Sequence, residues 1–313
     1  MCAVIQTGTG KYERLLERCR GIPPIPTAIA YPCDESSLSG AIEAARLGLI
    51  LPILVGPAAT ITEVARSKGI DLHAAEIVEA DTARASANRA VELVRLGQAE
   101  LVMKGSLHSD EVLAAVINKE TGLRTGRRLS HAFLMDIPTY HKVLIVTDAA
   151  INIAPTLEDK VDICQNAIDL AKTFGVARPK VAILAAVETV NSKMPATLDA
   201  AALCKMADRG QIKGGILDGP LAFDNAISRV AAMTKGIVSE VAGDPDILLA
   251  PDLEAGNMMA KMLSFLANSD SAGLVLGARV PVILTSRADS VEARIASCAV
   301  AVMAAHSRRQ PPH

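Results

Sequence analysis

The chain has 313 residues, of which 50% are hydrophobic and 21% charged. A chain of this length and apolar content buries a large core, which excludes a disordered or fibrous protein. Its 34 acidic and 32 basic residues nearly cancel, the basic residues form no block, and the aromatic residues are 4 Phe and 3 Tyr. We therefore expect neither a nucleic-acid partner nor attraction to an anionic membrane.

Cysteine usage and the apolar stretches bear on location. The six cysteines are scattered without a CxxC pair, which is typical of free thiols in a reducing cytosol. The longest apolar stretch, 47–59, is interrupted by Pro52, Gly56 and Pro57 and is too short to span a bilayer. With no apolar segment of secretory length near the first residues, the sequence predicts a cytoplasmic protein.

Short apolar runs alternate with stretches of helical spacing along the whole chain. The runs predict strands over 27–31, 52–55, 76–79, 101–104, 131–136, 143–147, 181–187, 215–218, 247–250, 273–276 and 282–285. The stretches between them predict helices over 37–47, 82–95, 157–174, 198–208, 255–266 and 291–305. Asp81 is expected to cap the second of these helices, and Thr156 precedes two acids in a first turn.

This alternation indicates an α/β fold with largely parallel sheets and flanking helices, because strands buried on both faces are continuously apolar. About eleven strands exceed a usual single sheet, so two lobes are expected. The clearest break is the segment 138–142, where one series of strands ends and a new one begins. In such sheets ligands bind where loops follow the carboxyl ends of strands, and four loops there stand out.

The first loop, 103–110, carries Lys104, Gly105 and Ser106 directly after a strand. An ammonium, a hydroxyl and backbone N–H groups suit phosphate, although the loop has no P-loop pattern. An ordinary polar turn with Ser109 or Asp110 as helix cap is the alternative.

The second loop, 122–131, holds three arginines, Arg124, Arg127 and Arg128, whose guanidinium forks suit phosphate oxygens. A surface charge cluster explains it equally well.

The third loop, 217–226, places Asp218 and Asp224 around a Gly-Pro turn. Either an active-site wall or a rigid turn in which Asp224 caps a helix would account for it.

The fourth loop, 285–292, gathers Ser286, Arg287, Asp289 and Glu292 before the last helix. Ser290 with Glu292 fits helix-start chemistry, but Ser286 and Arg287 have no structural need to be polar, which favours a functional role.

Metal-binding patterns are absent from the sequence, which has no HExxH and no His/Cys cluster of ligand spacing. We predict no metal and no tightly bound cofactor. A divalent-metal site built from Asp218, Asp224 and Asp252 is the weaker alternative.

At these loops the sequence resembles the phosphate acetyltransferase and phosphate butyryltransferase family. The residues that carry the resemblance are MKG at 103–105, NKETGLRTGR at 118–127, DGPLAFDNA at 218–226 and VILTSRADS at 282–290. The resemblance covers residues 37–305, approximately. The motifs GLRTGR and TSRADS are closer to the butyryltransferase branch.

The resemblance implies a two-lobed fold like that of isocitrate and isopropylmalate dehydrogenases, with residues 1–139 and 277–313 in one lobe, 140–276 in the other and the active site in the cleft. It also implies exchange of a short acyl group between coenzyme A, a substrate here, and phosphate, in a homodimer or larger homo-oligomer. The resemblance implies that Ser286 stabilises the transition state and that Arg287 binds phosphate. Further candidates for substrate binding are Lys104, Ser106, Arg124, Arg127, Asp218, Asp224 and Asn225.

Two departures from the acetyltransferase pattern concern the base and a phosphate-binding arginine. Ala293 stands where that branch has an Asp proposed to deprotonate the CoA thiol, so Asp289 and Glu292 are the candidate bases. Residues 112–115, VLAA, stand where it has LLRP, so Arg124 or Arg127 is the candidate replacement.

The expected mechanism is direct transfer in a ternary complex, with Ser286 donating to the oxyanion. An acyl-cysteine intermediate is the rival route. A non-catalytic acyl-CoA or acyl-phosphate sensor and a nicotinamide-dependent dehydrogenase on the same fold are the alternative functions.

Overall fold

The computed structural model describes residues 11–72, 75–285 and 289–309. Its strands are β1 (Ile25–Ala30), β2 (Ile50–Gly56), β3 (Glu76–Glu79), β4 (Leu101–Lys104), β5 (Ser130–Asp136), β6 (Leu144–Thr147), β7 (Lys180–Leu184), β8 (Ile216–Leu221), β9 (Ile247–Leu249), β10 (Asp270–Leu276) and β11 (Val282–Ile283). Its helices are α1 (Lys11–Cys19), α2 (Glu35–Arg46), α3 (Ala58–Lys68), α4 (Ala83–Arg95), α5 (Ser109–Ile117), α6 (Leu157–Thr173), α7 (Pro195–Asp208), α8 (Phe223–Ile227), α9 (Arg229–Thr234), α10 (Leu253–Leu266) and α11 (Val291–Arg309).

The chain forms two compact units. The terminal unit comprises Tyr12–Arg127 with Ala272–His313, and the central unit contains Arg128–Ser271. The predicted lobes change at 139/140 and 276/277, whereas the compact units change at 127/128 and 271/272. The difference arises because 138–142 lies in the turn of a hairpin in which β5 pairs antiparallel with β6, so both strands belong to one unit.

The terminal unit orders its strands β3-β2-β1-β4-β11-β10. All neighbours are parallel except β10 and β11. Every residue of β4 is buried, as is usual for a strand covered on both faces. Since β1, β4 and β11 run parallel side by side, the loops that follow them lie at one edge of the strands.

The central unit orders its strands β5-β6-β9-β7-β8, of which β6, β9, β7 and β8 are parallel. Its core gathers apolar side chains from strands and helices, among them Met135, Val146, Leu184, Leu248 and Ala260. The protein is therefore a mixed α/β fold with mostly parallel strands and flanking helices, which confirms the predicted fold class at this level.

Helix ends show where the sequence patterns succeed and fail. Thr156 caps α6 and forms a capping box with Asp159, as the acids of the first turn predicted. The prediction of Asp81 as a cap was wrong, because Thr82 accepts the hydrogen bond from the Ala85 amide. No described helix is long and apolar enough to cross a membrane.

Candidate active site

The loops after β1 and β4 in the terminal unit are bound to each other. The Gly105 amide donates to the Ala30 carbonyl over 2.9 Å, and the Ser106 hydroxyl donates to the Tyr31 carbonyl over 2.8 Å while accepting from the Cys33 amide over 3.2 Å. A Cβ on Gly105 would lie 2.4 Å from the Tyr31 carbonyl oxygen, so only glycine fits there. These bonds favour a role for Ser106 in holding the two loops together.

Lys104 ends β4 with a side chain that is only 2% exposed. Its ammonium donates to the carbonyl oxygens of Thr285 over 3.1 Å and Gly105 over 3.4 Å. A buried ammonium needs such acceptors, because desolvation of an unpaired charge is costly. These two contacts tie Lys104 to backbone carbonyls of the loop that follows β4 and of the loop that follows β11.

The loop after β11 contains the predicted catalytic pair. Ser286 and Arg287 lie outside the described residues. Asp289 is half-buried, and Glu292 is exposed in the first turn of α11, where an acid faces the positive end of the helix. The Ser290 hydroxyl accepts from the Ala293 amide over 3.2 Å, which confirms helix-start chemistry for Ser290.

Arg294 is the residue of this region that sequence reasoning missed. It is fully buried, with 0% exposure. Its Nη1 donates to the Thr285 hydroxyl over 2.7 Å and its Nε to the Ser36 hydroxyl over 3.0 Å. Burial lowers the pKa of Arg294, and the charges of Asp34 and Asp289 oppose that shift. The sequence feature that could have revealed Arg294 is its position as an arginine among the apolar residues of the last helix. We call Lys104, Thr285 and Arg294 the Thr285 cluster.

The arginine-rich segment is anchored by its backbone and by Thr125. The Thr125 hydroxyl donates to the Gly277 carbonyl over 2.6 Å, and the Arg279 amide donates to the Leu123 carbonyl over 2.8 Å. Arg124 and Arg127 are exposed. The terminal unit thus fixes the backbone of this segment at Leu123 and Thr125.

Arg128, the third arginine of that segment, belongs to the central unit. Its Nε donates to Asn152 Oδ1 over 2.8 Å, and it lies 3.4 Å from a carboxylate oxygen of Asp159. These contacts with side chains of the central unit indicate a structural role for Arg128.

The DGPLAFDNA segment of the central unit splits into two parts. Asp218 lies on β8 and accepts from the neighbouring Gly219 amide over 2.9 Å. The expected Gly-Pro turn was wrong, because β8 continues through Gly219 and Pro220 to Leu221. Asp224, at the start of α8, lies 3.2 Å from the Lys235 ammonium. Asp224 is not the cap of α8, since Ala222 holds that position without a side-chain bond.

Asn225 is buried with 0% exposure beside this ion pair. Its Nδ2 donates to Glu188 over 3.2 Å, and Glu188 in turn lies 3.1 Å from Lys235. Its Oδ1 is buried and accepts no hydrogen bond in the structure. Glu188 and Lys235 were not among the site residues predicted from the sequence. We call Glu188, Asp224, Asn225 and Lys235 the Asn225 cluster, and its unsatisfied oxygen could accept a hydrogen bond from a ligand.

The charges of this cluster shift the two carboxyl groups in the same direction. The hydrogen bond from Lys235 lowers the pKa of Glu188. The Asn225 backbone amide and then Lys235 lower the pKa of Asp224. Both groups are therefore held ionised near neutral pH.

The alternative metal site finds no support in the geometry. Within the described ranges, no three His, Cys, Asp or Glu side chains come together in a way that could hold a metal ion. Asp252 instead caps α10 by accepting from the Ala255 amide over 2.8 Å.

Five cysteines in the described part of the chain are free thiols: Cys19, Cys33, Cys164, Cys204 and Cys298. Burial raises the pKa of Cys19 and Cys33 to about 11 and that of Cys204 and Cys298 to about 12. Burial raises the pKa of Cys164 as well. A thiol with a raised pKa is a poor nucleophile at neutral pH.

Comparison with known proteins identifies the family. The sequence model described as "Phosphate acetyl/butaryl transferase" matches residues 83–302. The chain is 60% identical over 299 residues to a phosphate acetyltransferase of Rhizobium meliloti, covering 96% of this chain and 95% of that relative. It is 44% identical over 281 residues to a phosphate butyryltransferase of Clostridium acetobutylicum, covering 90% and 93%. The chain therefore belongs to the phosphate acetyltransferase and phosphate butyryltransferase family.

Solved structures agree in fold. A branched-chain phosphotransacylase from Enterococcus faecalis V583 matches with a TM-score of 0.77 at 29% identity, covering 90% of this chain and 99% of that one. A phosphotransacetylase from Streptococcus pyogenes matches with a TM-score of 0.82 at 22% identity, covering 96% and 99%. The predicted family is confirmed. The expected closeness to the butyryltransferase branch is not, because the Rhizobium meliloti acetyltransferase is 60% identical and the Clostridium acetobutylicum butyryltransferase 44% identical.

Proposed function

We propose that this protein exchanges a short acyl group between coenzyme A and inorganic phosphate. The observation that carries the proposal is 60% identity with a phosphate acetyltransferase over 95% of that relative's length. The enzyme needs no resident cofactor for this exchange, because coenzyme A and phosphate are themselves the substrates.

The chemistry is proposed to proceed by direct transfer. The CoA thiol gives its proton to a carboxylate, Asp289 or Glu292, and the thiolate attacks the acyl-phosphate carbonyl. Ser286 donates a hydrogen bond to the oxyanion that develops, and Arg287 holds the phosphate that leaves as the C–O bond breaks and the C–S bond remains. The five described cysteines support this route over an acyl-cysteine, since burial disfavours each thiolate.

Substrate binding is assigned to groups that the fold leaves accessible or unsatisfied. Arg124 and Arg127 are exposed cations on an anchored segment and suit the phosphates of CoA. Asn225 offers a buried acceptor, and Asp224 is exposed beside it. Lys104, Ser106 and Asp218 are proposed to serve substrate by holding their loops, given the bonds they make to backbone groups.

We also propose a cytoplasmic location and a homo-oligomeric state. Free thiols at five described positions suit a reducing compartment. One face of α10 carries four large apolar side chains that are at least 60% exposed, Met258, Met262, Phe265 and Leu266, and a second copy could cover them. An isocitrate dehydrogenase-like topology is proposed from the same resemblance that suggested the family.

The decisive experiment measures phosphate-dependent release of CoA thiol from acetyl-, propionyl- and butyryl-CoA, without nicotinamide cofactor or metal. Release with one chain length favoured is the expected result and names the acyl group. Absence of release by protein that still binds CoA would overturn the proposal and favour the sensor.

The same assay tests the residues. Ser286→Ala and Arg287→Ala should each lower turnover about 100-fold or more, because each removes a group that stabilises developing charge. Ser67→Ala and Arg66→Ala, on the exposed face of α3, are matched controls with normal turnover expected. Near-normal activity of both site variants would refute the assignment, and a labelled acyl-enzyme found by rapid quench would refute direct transfer.

A further inference from the structure

Thr285 is held at two of its atoms by two buried cations. Its carbonyl oxygen accepts from the Lys104 ammonium over 3.1 Å, and its hydroxyl oxygen lies 2.7 Å from Arg294 Nη1. Thr285 itself is 2% exposed. Hydrogen bonds from charged donors in a low-dielectric interior are shorter and stronger than neutral ones. Thr285 is therefore held both at its backbone carbonyl and at its side-chain hydroxyl.

Burying the charge of Arg294 costs desolvation free energy, which indicates a role for this residue beyond packing. Arg294 is fully buried, and its guanidinium donates hydrogen bonds to the hydroxyls of Ser36 and Thr285. An apolar side chain at this buried position would avoid the desolvation penalty of a charge. Gly40 supports the same conclusion, because a Cβ there would lie 2.8 Å from Arg294 Cδ, so α2 makes room for the arginine.

The position of Thr285 in the chain supplies the purpose. It is the residue directly before Ser286 and Arg287, to which the proposed function assigns the oxyanion contact and the phosphate. We infer that Arg294 and Lys104 are positioning residues for acyl transfer, which act by fixing Thr285 and make no contact with substrate. This inference rests on the proposed function, since it concerns how the proposed catalytic pair is aligned.

The test compares the two hydrogen bonds of one guanidinium. Thr285→Val keeps the side-chain shape and removes the hydroxyl that Arg294 holds, whereas Ser36→Ala removes the other partner of Arg294, on α2. If Thr285 positions the catalytic pair, Thr285→Val lowers kcat about 10- to 100-fold with little change in KM, because small misalignments of reacting groups cost that much. Ser36→Ala should leave kcat within twofold.

Stability and rescue separate positioning from folding. Both variants lose one hydrogen bond to the same group, so thermal unfolding midpoints should fall by similar amounts. Thr285→Ser restores the hydroxyl and should recover most of kcat. Equal kcat for Thr285→Val and Ser36→Ala, or no recovery with Thr285→Ser, would overturn the inference.

A second variant covers the other donor. Lys104→Met keeps the length of the chain and removes the ammonium that holds the Thr285 carbonyl. It should lower kcat rather than raise the KM for phosphate or CoA. A rise in KM for phosphate with unchanged kcat would show that Lys104 binds substrate, which contradicts positioning. Inactivity of the wild-type chain would instead count against the proposed function.

Discussion

The Thr285 cluster and the Asn225 cluster use cations in opposite ways. Lys104 and Arg294 are both buried. Lys104 donates to the backbone carbonyl of Thr285, and Arg294 donates to its hydroxyl. Lys235 is partly exposed and bridges two carboxylates, Glu188 and Asp224. Water can replace either partner of Lys235, but it cannot reach the buried cations. The Thr285 cluster therefore fixes the position of one residue, whereas the Asn225 cluster controls the ionisation of two carboxyl groups.

The difference shows how residue type alone misleads about function. A lysine after a strand suggests a phosphate ligand, yet Lys104 is occupied by carbonyl oxygens. An asparagine in a helix start suggests a cap, yet Asn225 leaves an acceptor unsatisfied in the interior. An unsatisfied buried acceptor costs about 1–3 kcal/mol, which a bound donor would recover. Burial and partners, rather than residue identity, separate positioning groups from binding groups.

The sharpest way to break the first cluster is to enlarge Gly105, whose carbonyl accepts from Lys104. Gly105→Ala brings a Cβ within 2.4–2.6 Å of three backbone atoms of Ala30 and Tyr31, so the free energy of unfolding should fall by about 3 kcal/mol or more. Gly126→Ala is the control for stability, because nothing lies within 4 Å of its added Cβ. Urea unfolding of both variants checks this, and equal midpoints would contradict the described packing.

The second cluster is tested by removing its unsatisfied acceptor. Asn225→Ala should lower kcat/KM about tenfold, the value of one hydrogen bond to substrate, with a small loss of stability because an unpaired oxygen leaves with the side chain. Asn166→Ala is the contrasting control. Asn166 is buried with its amide bound to the Arg128 carbonyl and to Ser130, so its loss should cost about 1–3 kcal/mol of stability. Steady-state kinetics with urea unfolding distinguishes the two, and a larger stability loss for Asn225→Ala would contradict the assignment.

The smallest effect concerns the charge that Lys235 sets. Lys235→Met should raise the pKa of Glu188 more than that of Asp224, because Asp224 keeps the hydrogen bond from the Asn225 amide. Since both folded-state pKa values are lowered, any stabilisation by Lys235 is present above the ordinary carboxyl range and is lost as the pH falls through the lowered values. Carboxyl NMR titration measures this. Lys205→Met, which breaks an isolated pair with Asp208, should leave Glu188 unchanged.

Much of the fold could be predicted because parallel strands are continuously apolar. All eleven predicted runs overlap strands, and in strands buried along their whole length, such as β4 and β6, the residues are continuously apolar up to the last one. Helices α1, α3, α8 and α9 were missed, and only the start of α5 was expected. Helix α3 begins directly after Pro57, inside a stretch that reads as one interrupted apolar run, and α5 follows a loop whose polar residues drew a functional interpretation. Proline before the first turn was the usable signal.

The site was predictable where its residues are consecutive and unpredictable where they are not. The loops at 103–110 and 285–292 stand out as polar segments after apolar strands, and parallel neighbours bring them to one edge. Arg294 hides among the apolar positions of α11, and its partner Ser36 lies 258 residues away. Glu188 and Lys235 are separated by 47 residues. Only tertiary structure reveals such pairs.

The buried thiols have a practical consequence for measuring turnover. At neutral pH the five described cysteines remain protonated, because burial raises the pKa of each. A chromogenic disulfide reagent reacts with thiolates, so liberated coenzyme A would colour it far faster than these side chains do. These five thiols should therefore add little background when turnover is followed continuously with such a reagent, and they should resist alkylating agents at the same pH.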